Sequence, residues 1–336
     1  VLAIRRDARG DLWLGTAQQG LARIIEAEGK LQIYRHNAMD TRSLSSDRVE
    51  VIYEDSAKRL WVGTNNGLNL LDDDRSWFTR YRNDPADPTS LSDSYVVSIF
   101  EDQGGVLWFG TKTGGVNKWN SRSWSFGHVR PKSSGGEDNQ APKITSFTRD
   151  QSGQLWVGTF GSGILVLGPD LDQRTQVGKS AVGKGGLSDD VVMSLLTDAD
   201  GIIWAGTMHG GLNRIDPVSG EITVYRHEPD DPRSLAANGI MSLYAAHDGT
   251  IWVGTFGGGV SRYEPETDSF VNYLHDPAVP TSLSNPNAAA ITEDADGVLW
   301  VATTGGGLNR LSSIDGNWVS YLHDPQDSTS LSGNAV

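Results

Sequence analysis

Lys112, Phe160, Met208 and Phe256 stand 48 residues apart, each four residues after a tryptophan that opens a recurring phrase. Ala17, Asn65 and Thr304 hold the same place elsewhere in the chain. Gln18, Asn66, Thr113, Gly161, His209, Gly257 and Gly305 follow them. Thirteen residues before six of the tryptophans stand Arg48, Tyr95, Lys143, Val191, Gly239 and Asn287, with Ala335 as the seventh of the set if the chain closes on itself. These positions vary while their surroundings repeat, so they are released from the common packing task. Aromatic, thioether, imidazole and cationic groups of this mix suit recognition more than bond-making, with flat rings against apolar faces and polar groups fixing orientation. We therefore expect Arg48, Tyr95, Lys112, Lys143, Phe160, Met208, His209 and Phe256 to line one shared depression for a small polar ligand such as an oligosaccharide. Phe160, Met208 and Phe256 would form its apolar arc, and the cationic residues its polar side. The plain alternative is that they are loop tips and partly packed turn residues.

No catalytic set accompanies them. His36, His227, His275 and His323 each follow the pattern Tyr-x-His, and a residue that recurs with the repeat is read as structural. His128 falls in an outer-strand region and His247 in a hairpin at the other end of the strands. His209 alone lies among the variable positions, and acid–base work by a histidine pair needs a second one there. With no cysteine there is neither a disulfide nor a thiolate. The connector 83–91 recurs at 227–235 and 275–283 and is rich in Asp and Pro. Aspartates can hold calcium, but proline fixes φ and Asp caps turns, and no spacing resembles a dedicated calcium loop. Phe256-Gly257-Gly258-Gly259 joins two strands, with no helix N-terminus to hold a phosphate. The expectation is no catalytic residue, no metal and no cofactor.

The elements that position these residues are set by Trp13, Trp61, Trp108, Trp156, Trp204, Trp252 and Trp300, spaced 47 or 48 residues apart. Each opens a phrase of the type WLGT, WVGT, WFGT, WAGT or WVAT, and such self-similarity marks a repeat array. Around Trp108, Val96 to Phe100 reads as a β-branched strand, Asp102 to Gly105 as a hairpin turn, and Leu107 to Thr111 and Gly115 to Trp119 as two more strands. A fourth strand follows near Trp124 and Phe126. Four antiparallel strands per repeat make a propeller blade. Nine residues before each tryptophan stands a large apolar residue, such as Ile52 or Leu195; one earlier it is mostly small, as Ala3 or Ser194. Alternating faces of the innermost strand thus present bulk to one neighbour and room to the other, and the tryptophan should fill the next layer outward between blades. The lead-in 330–336 matches 90–96, so the terminus is in phase to complete the seventh blade. The whole of 1–336 is expected to be a single all-β, seven-bladed β-propeller with four antiparallel strands per blade. It starts in mid-pattern at Val1, as a piece of a longer protein would. Gly127 to Ala141 breaks the pattern and reads as a flexible polar connection that overhangs the mouth or touches a partner domain.

Twenty-eight basic against 42 acidic residues give a net charge of −14. Such a surface repels nucleic acid and anionic membranes, both of which recruit Lys and Arg. No apolar run approaches the roughly 20 residues of a membrane helix, and no signal peptide is present.

The phrase D-x-x-G-x-[LI]-W-[VF]-G-T-x-x-G-G-[LV]-N-[RK], seen in Asp200 to Thr207 followed by Gly210 to Arg214, resembles the two-component regulator propeller repeat. The resemblance extends over all seven units. It implies a periplasmic or extracytoplasmic sensor. An immunoglobulin-like domain, a membrane helix and a cytoplasmic histidine kinase or diguanylate cyclase would follow it, and a second propeller often accompanies it. The leading expectation is a ligand-sensing, non-catalytic domain of a bacterial transmembrane signalling protein. The alternatives are a protein-interaction platform, or an enzyme similar to the propeller lyases that open cyclic antibiotics. A lyase needs a paired acid/base set at the mouth, and a platform a broad exposed apolar patch.

Overall fold

The computed structural model describes residues 2–25, 29–102, 104–119, 126–129, 142–168, 174–179, 185–294, 296–313, 316–327, 330–331 and 333–334. Among them lie 28 strands and no helix, paired as seven four-stranded antiparallel sheets, each a simple up-and-down meander. These are the blades of a seven-bladed β-propeller, spanning 3–34, 49–81, 96–129, 144–177, 192–225, 240–273 and 288–321. Backbone contacts divide the chain into two compact units that meet in sequence at Ser146 and Phe147, inside the first strand of blade four. In blade three the fourth strand is Phe126–Val129. The expected connection starting at Gly127 is therefore corrected: Gly127 to Val129 are paired with Val116 to Lys118. The rest of that segment to Ala141, together with Trp124 and Ala335, lies outside the described residues.

In six of the seven blades one carboxylate organises the hairpin between first and second strands. In blade five, Asp198 Oδ1 accepts the N–H groups of Asp200 and Ile202, at 3.0 and 2.9 Å, and Oδ2 accepts the Trp204 indole N–H at 2.7 Å. The turn and the core tryptophan are thereby held by a single side chain. The same indole bond links Trp13 to Asp7, Trp61 to Asp55, Trp108 to Asp102, Trp156 to Asp150 and Trp300 to Asp294. Burying an indole without an acceptor would forfeit the hydrogen bond it makes in water. Each buried Trp removes about 150–250 Å² from solvent, about 4–6 kcal/mol of transfer free energy.

The glycine of the phrase has a steric cause. A Cβ on Gly206 would sit 2.4 Å from Ile240 Cγ2 at the start of the next blade, so glycine lets the second strand of blade five approach the innermost strand of blade six. In the unit 2–146, Trp13 shares a core with Leu60, Val62 and Phe78 of the following blade. Trp61 meets Phe109 and Trp119 at centroid distances of 5.5 and 5.0 Å. In the unit from Phe147 onward, Trp204 meets Tyr263 at 4.9 Å, and Trp252 shares a core with Val301, Leu311 and Trp318. Within each unit the tryptophans fill the layer between neighbouring blades, as their spacing predicts.

A buried asparagine on the third strand ties in the incoming chain. Asn213 Oδ1 accepts the Ser188 N–H at 2.9 Å, and its Nδ2 donates to Ser188 Oγ and the Ala205 carbonyl. Asn69, Asn117 and Asn309 do the same for Ser45, Ser92 and Ser284.

Candidate functional site

The turn between second and third strands is closed by a buried threonine. Thr207 Oγ1 donates to the Gly211 carbonyl at 2.8 Å and accepts the Gly210 N–H. That local closure turns the next residue, Met208, outward. Its N–H donates to the carbonyl of Val191 at 2.9 Å, and the pattern holds for Asn65 to Arg48, Lys112 to Tyr95, Phe256 to Gly239 and Thr304 to Asn287. In these five blades the two variable sets of the sequence are thus hydrogen-bonded to each other.

In the unit 2–146, Arg48, Tyr95 and Lys112 come together around a residue the sequence reading missed. Glu50 Oε1 pairs with Arg48 Nε at 2.5 Å and accepts the Tyr95 hydroxyl at 2.5 Å. Lys112 Nζ lies 4.6 Å from the centre of the Tyr95 ring, a cation–π contact. Burial and the bond to Glu50 push the Tyr95 hydroxyl above its usual range. Burial lowers the Arg48 value, but bonds to Glu50 and Tyr95 outweigh it and the guanidinium is raised. The cationic group is therefore partly neutralised from within. A signal for Glu50 was present: eleven residues before the other tryptophans stand Leu2, Val97, Thr145, Met193, Met241 and Ala289, none of them charged. Lys143 stands just before Ile144, half-buried.

In the other unit, Phe160, Met208 and Phe256 are 43%, 38% and 64% exposed, so they are not consumed by the blade cores. Phe160 forms an isolated β-bridge with Val191, the residue whose carbonyl holds Met208. Gly239 lies between the next two: a Cβ there would meet Met208 O at 3.1 Å and Phe256 Cβ at 3.2 Å. His209 is exposed, with its Nδ1 3.4 Å from Asp189 Oδ2, and its N–H donates to the same oxygen. Asp189 was not singled out from the sequence.

The recurrent histidines are architectural. The Nδ1 atoms of His36, His227 and His275 lie 2.8, 2.7 and 2.6 Å from the carbonyls of Leu44, Leu235 and Leu283. His323 contacts Leu331 in the same way. The connector aspartates cap turns: Asp84, Asp276 and Asp324 accept the N–H groups of Ala86, Ala278 and Gln326. Among the described residues no group of three His, Asp or Glu is placed to hold a metal. A groove of about 570 Å³ in the unit from Phe147 onward is lined by Tyr225, Arg226, Arg233, Asp268 and Phe270, and by none of the predicted site residues.

The two-component regulator propeller family matches six segments, 43–66, 90–113, 140–161, 186–209, 234–257 and 282–305. Each runs through a blade's first two strands into the turn that follows, and four of these turns carry a predicted site residue, Lys112, Phe160, Met208 with His209, or Phe256. No curated protein sequence matches the chain. Among solved structures, the extracellular domain of the hybrid two component system BT3049 from B. thetaiotaomicron superposes with a TM-score of 0.76 at 22% identity, over 99% of this chain and 42% of that one. The extracellular domain of the BT4673 one component system from the same organism gives a TM-score of 0.59 at 22% identity, over 97% and 50%. Virginiamycin B lyase from Staphylococcus aureus gives 0.66 at 18% identity, over 93% and 94%. The chain thus spans half or less of the two extracellular domains. At these identities the superpositions establish the fold.

Proposed function

The chain is built of two-component regulator propeller repeats, and from that premise we propose that it is the ligand-sensing, non-catalytic part of a bacterial transmembrane signalling protein, on the periplasmic or extracytoplasmic side. An immunoglobulin-like domain and a signalling output would lie elsewhere in the full-length chain. The ligand is a small polar molecule such as an oligosaccharide. Its contacts are Phe160, Met208, His209 and Phe256 in the unit from Phe147 onward; Arg48, Tyr95, Lys112 and Lys143 are candidate polar contacts within the unit 2–146. The observation that carries this reading is the exposure of three large apolar side chains at turns held by backbone pairing. Packing does not require them there, whereas stacking on a sugar ring does.

Support for the non-catalytic reading comes from His209. Its imidazole is exposed and has one carboxylate partner, Asp189, with no second acid or base at the neighbouring variable positions Gly161 and Gly257. A thermal-shift screen with oligosaccharides and small polar metabolites tests the proposal. A ligand present at a hundredfold its dissociation constant stabilises the fold by about 2.7 kcal/mol. The 64% exposure of Phe256 also favours a second reading, a docking face for another protein chain. That reading gains if no small molecule shifts the melt and a partner chain protects the turn around Phe256 from hydrogen exchange.

A further inference from the structure

Blade six departs from the other blades at one side chain. Six blades place an aspartate six residues before the tryptophan to accept its indole N–H; blade six places Ala246 before Trp252. The hairpin closes without it. Ala246 N–H donates to Thr250 O at 2.8 Å, Gly249 N–H to Ala246 O at 2.9 Å, and Asp248 Oδ1 takes the Thr250 N–H. What remains is a set of donors whose acceptor has been removed.

Trp252 is 5% exposed, and its indole N–H lacks the carboxylate that its counterparts have. Arg262 faces it across the second and third strands. Arg262 Nη2 pairs with Glu264 at 2.6 Å, but among the described residues its buried Nε has no hydrogen-bond partner. Blade seven shows what is missing. There Arg310 faces Trp300 in the same register, and its Nε lies 3.9 Å from Asp294 Oδ2, the oxygen that accepts the Trp300 indole N–H. Among the described residues no side chain supplies that oxygen at blade six, and a cavity of about 290 Å³ opens there, lined by Ala246, Asp248, Trp252, Arg262, Val298, Leu299 and Leu311. Glu293 also borders it. Its carboxylate is occupied by the His247 N–H at 2.9 Å and by the His247 ring at 3.2 Å.

We propose that this cavity binds a small aliphatic monocarboxylate. Its carboxylate takes the place of the absent aspartate side chain and accepts hydrogen bonds from Trp252 Nε1 and Arg262 Nε. Its alkyl chain lies against Val298, Leu299 and Leu311. An ionised acceptor between an indole and a guanidinium forms bonds about twice as strong as a neutral one, which selects the acid over its amide. The site lies at the opposite end of the second strand, Ile251–Thr255, from Phe256. It is therefore independent of the ligand face proposed above.

The test uses the eleven indole N–H resonances of the ¹⁵N-labelled protein. Sodium butyrate, titrated against sodium chloride at equal ionic strength and pH, should move one of them downfield and saturate. Butyramide should leave it in place. Ala246→Asp restores the carboxylate within the chain, so the same resonance should start downfield and no longer respond. Arg262→Gln keeps Ala246 and should weaken the butyrate response roughly tenfold, as expected for a lost charge-assisted bond. No saturable shift with butyrate, an equal response to butyramide, or a folded Ala246→Asp protein that still responds would each overturn the proposal. Should Ala246→Asp not fold, an unchanged response in Arg262→Gln overturns it alone.

Discussion

Met208 N–H donates to the carbonyl of Val191 at 2.9 Å, joining a residue just after the second strand of blade five to one just before its first. The bond uses only backbone atoms, so either side chain can change without disturbing it. This explains how the repeat keeps its geometry while both positions vary. It also means that side chains there can be replaced at little structural cost.

Phe256→Ala should therefore leave stability within about 0.5 kcal/mol of the parent, the range for exposed sites, because Phe256 is 64% exposed. Urea unfolding checks this. A loss of several kcal/mol would show that the ring is packed, and would remove it from the ligand face.

Asp198→Ala should behave in the opposite way. It removes the acceptor of the Trp204 indole and of two turn N–H groups together. We expect about 2–3 kcal/mol of destabilisation, since the orphaned indole of the buried Trp204 carries a desolvation penalty and the turn loses two further bonds. Asp198→Asn retains one oxygen and should lose less. Equal melting midpoints for parent and Asp198→Ala would refute the anchoring role.

Arg75 is a third test. It is 8% exposed, adopts a positive φ of 56°, and pairs with Asp7 at 2.6 Å and Asp11 at 2.5 Å in the preceding blade. Its carbonyl also accepts the Tyr34 hydroxyl at 2.8 Å. Breaking a buried ion pair by removing one partner costs about 3–5 kcal/mol, and Arg75→Ala should fall in that range by urea titration. A change below 1 kcal/mol, the level of an exposed pair, would contradict the burial of this cluster.

Acid sensitivity follows from Asp268. Hydrogen bonds from the Tyr225 hydroxyl, then the Tyr263 hydroxyl, hold its carboxyl below the usual range. A depressed carboxylate contributes stability that is present above its unfolded value of about 3.9 and lost as pH falls through the folded value. Asp268→Asn removes that contribution and tolerates the positive φ of 50°. Between about pH 4 and pH 2 the variant should lose less stability than the parent. Parallel urea midpoints over that window would contradict the assignment.

The fold was legible because Trp, Gly and the strand pattern recur at a fixed period, and each recurrence tests the same packing hypothesis. The Asp–Trp bond was half legible. The aspartate stood out as a turn residue, but its second oxygen points to an atom six residues away, which a turn reading does not consider. Glu50 was not legible as a site residue because it sits on the innermost strand, whose side chains read as packing, while its partners Arg48 and Tyr95 lie just before their strands. Arg75 was beyond reach. Its partners Asp7 and Asp11 lie in another blade, and nothing in local spacing marks a long-range ion cluster.

The central claim is that exposed residues at the turns of blades four to six recognise a small polar ligand. It is tested most directly by calorimetric titration of the strongest thermal-shift hit into the parent and into Phe160→Ala, Met208→Ala and Phe256→Ala. The account predicts unchanged folding and at least a roughly tenfold loss of affinity, about 1.4 kcal/mol, in one or more of the three. Parent-like affinity in all three would contradict it.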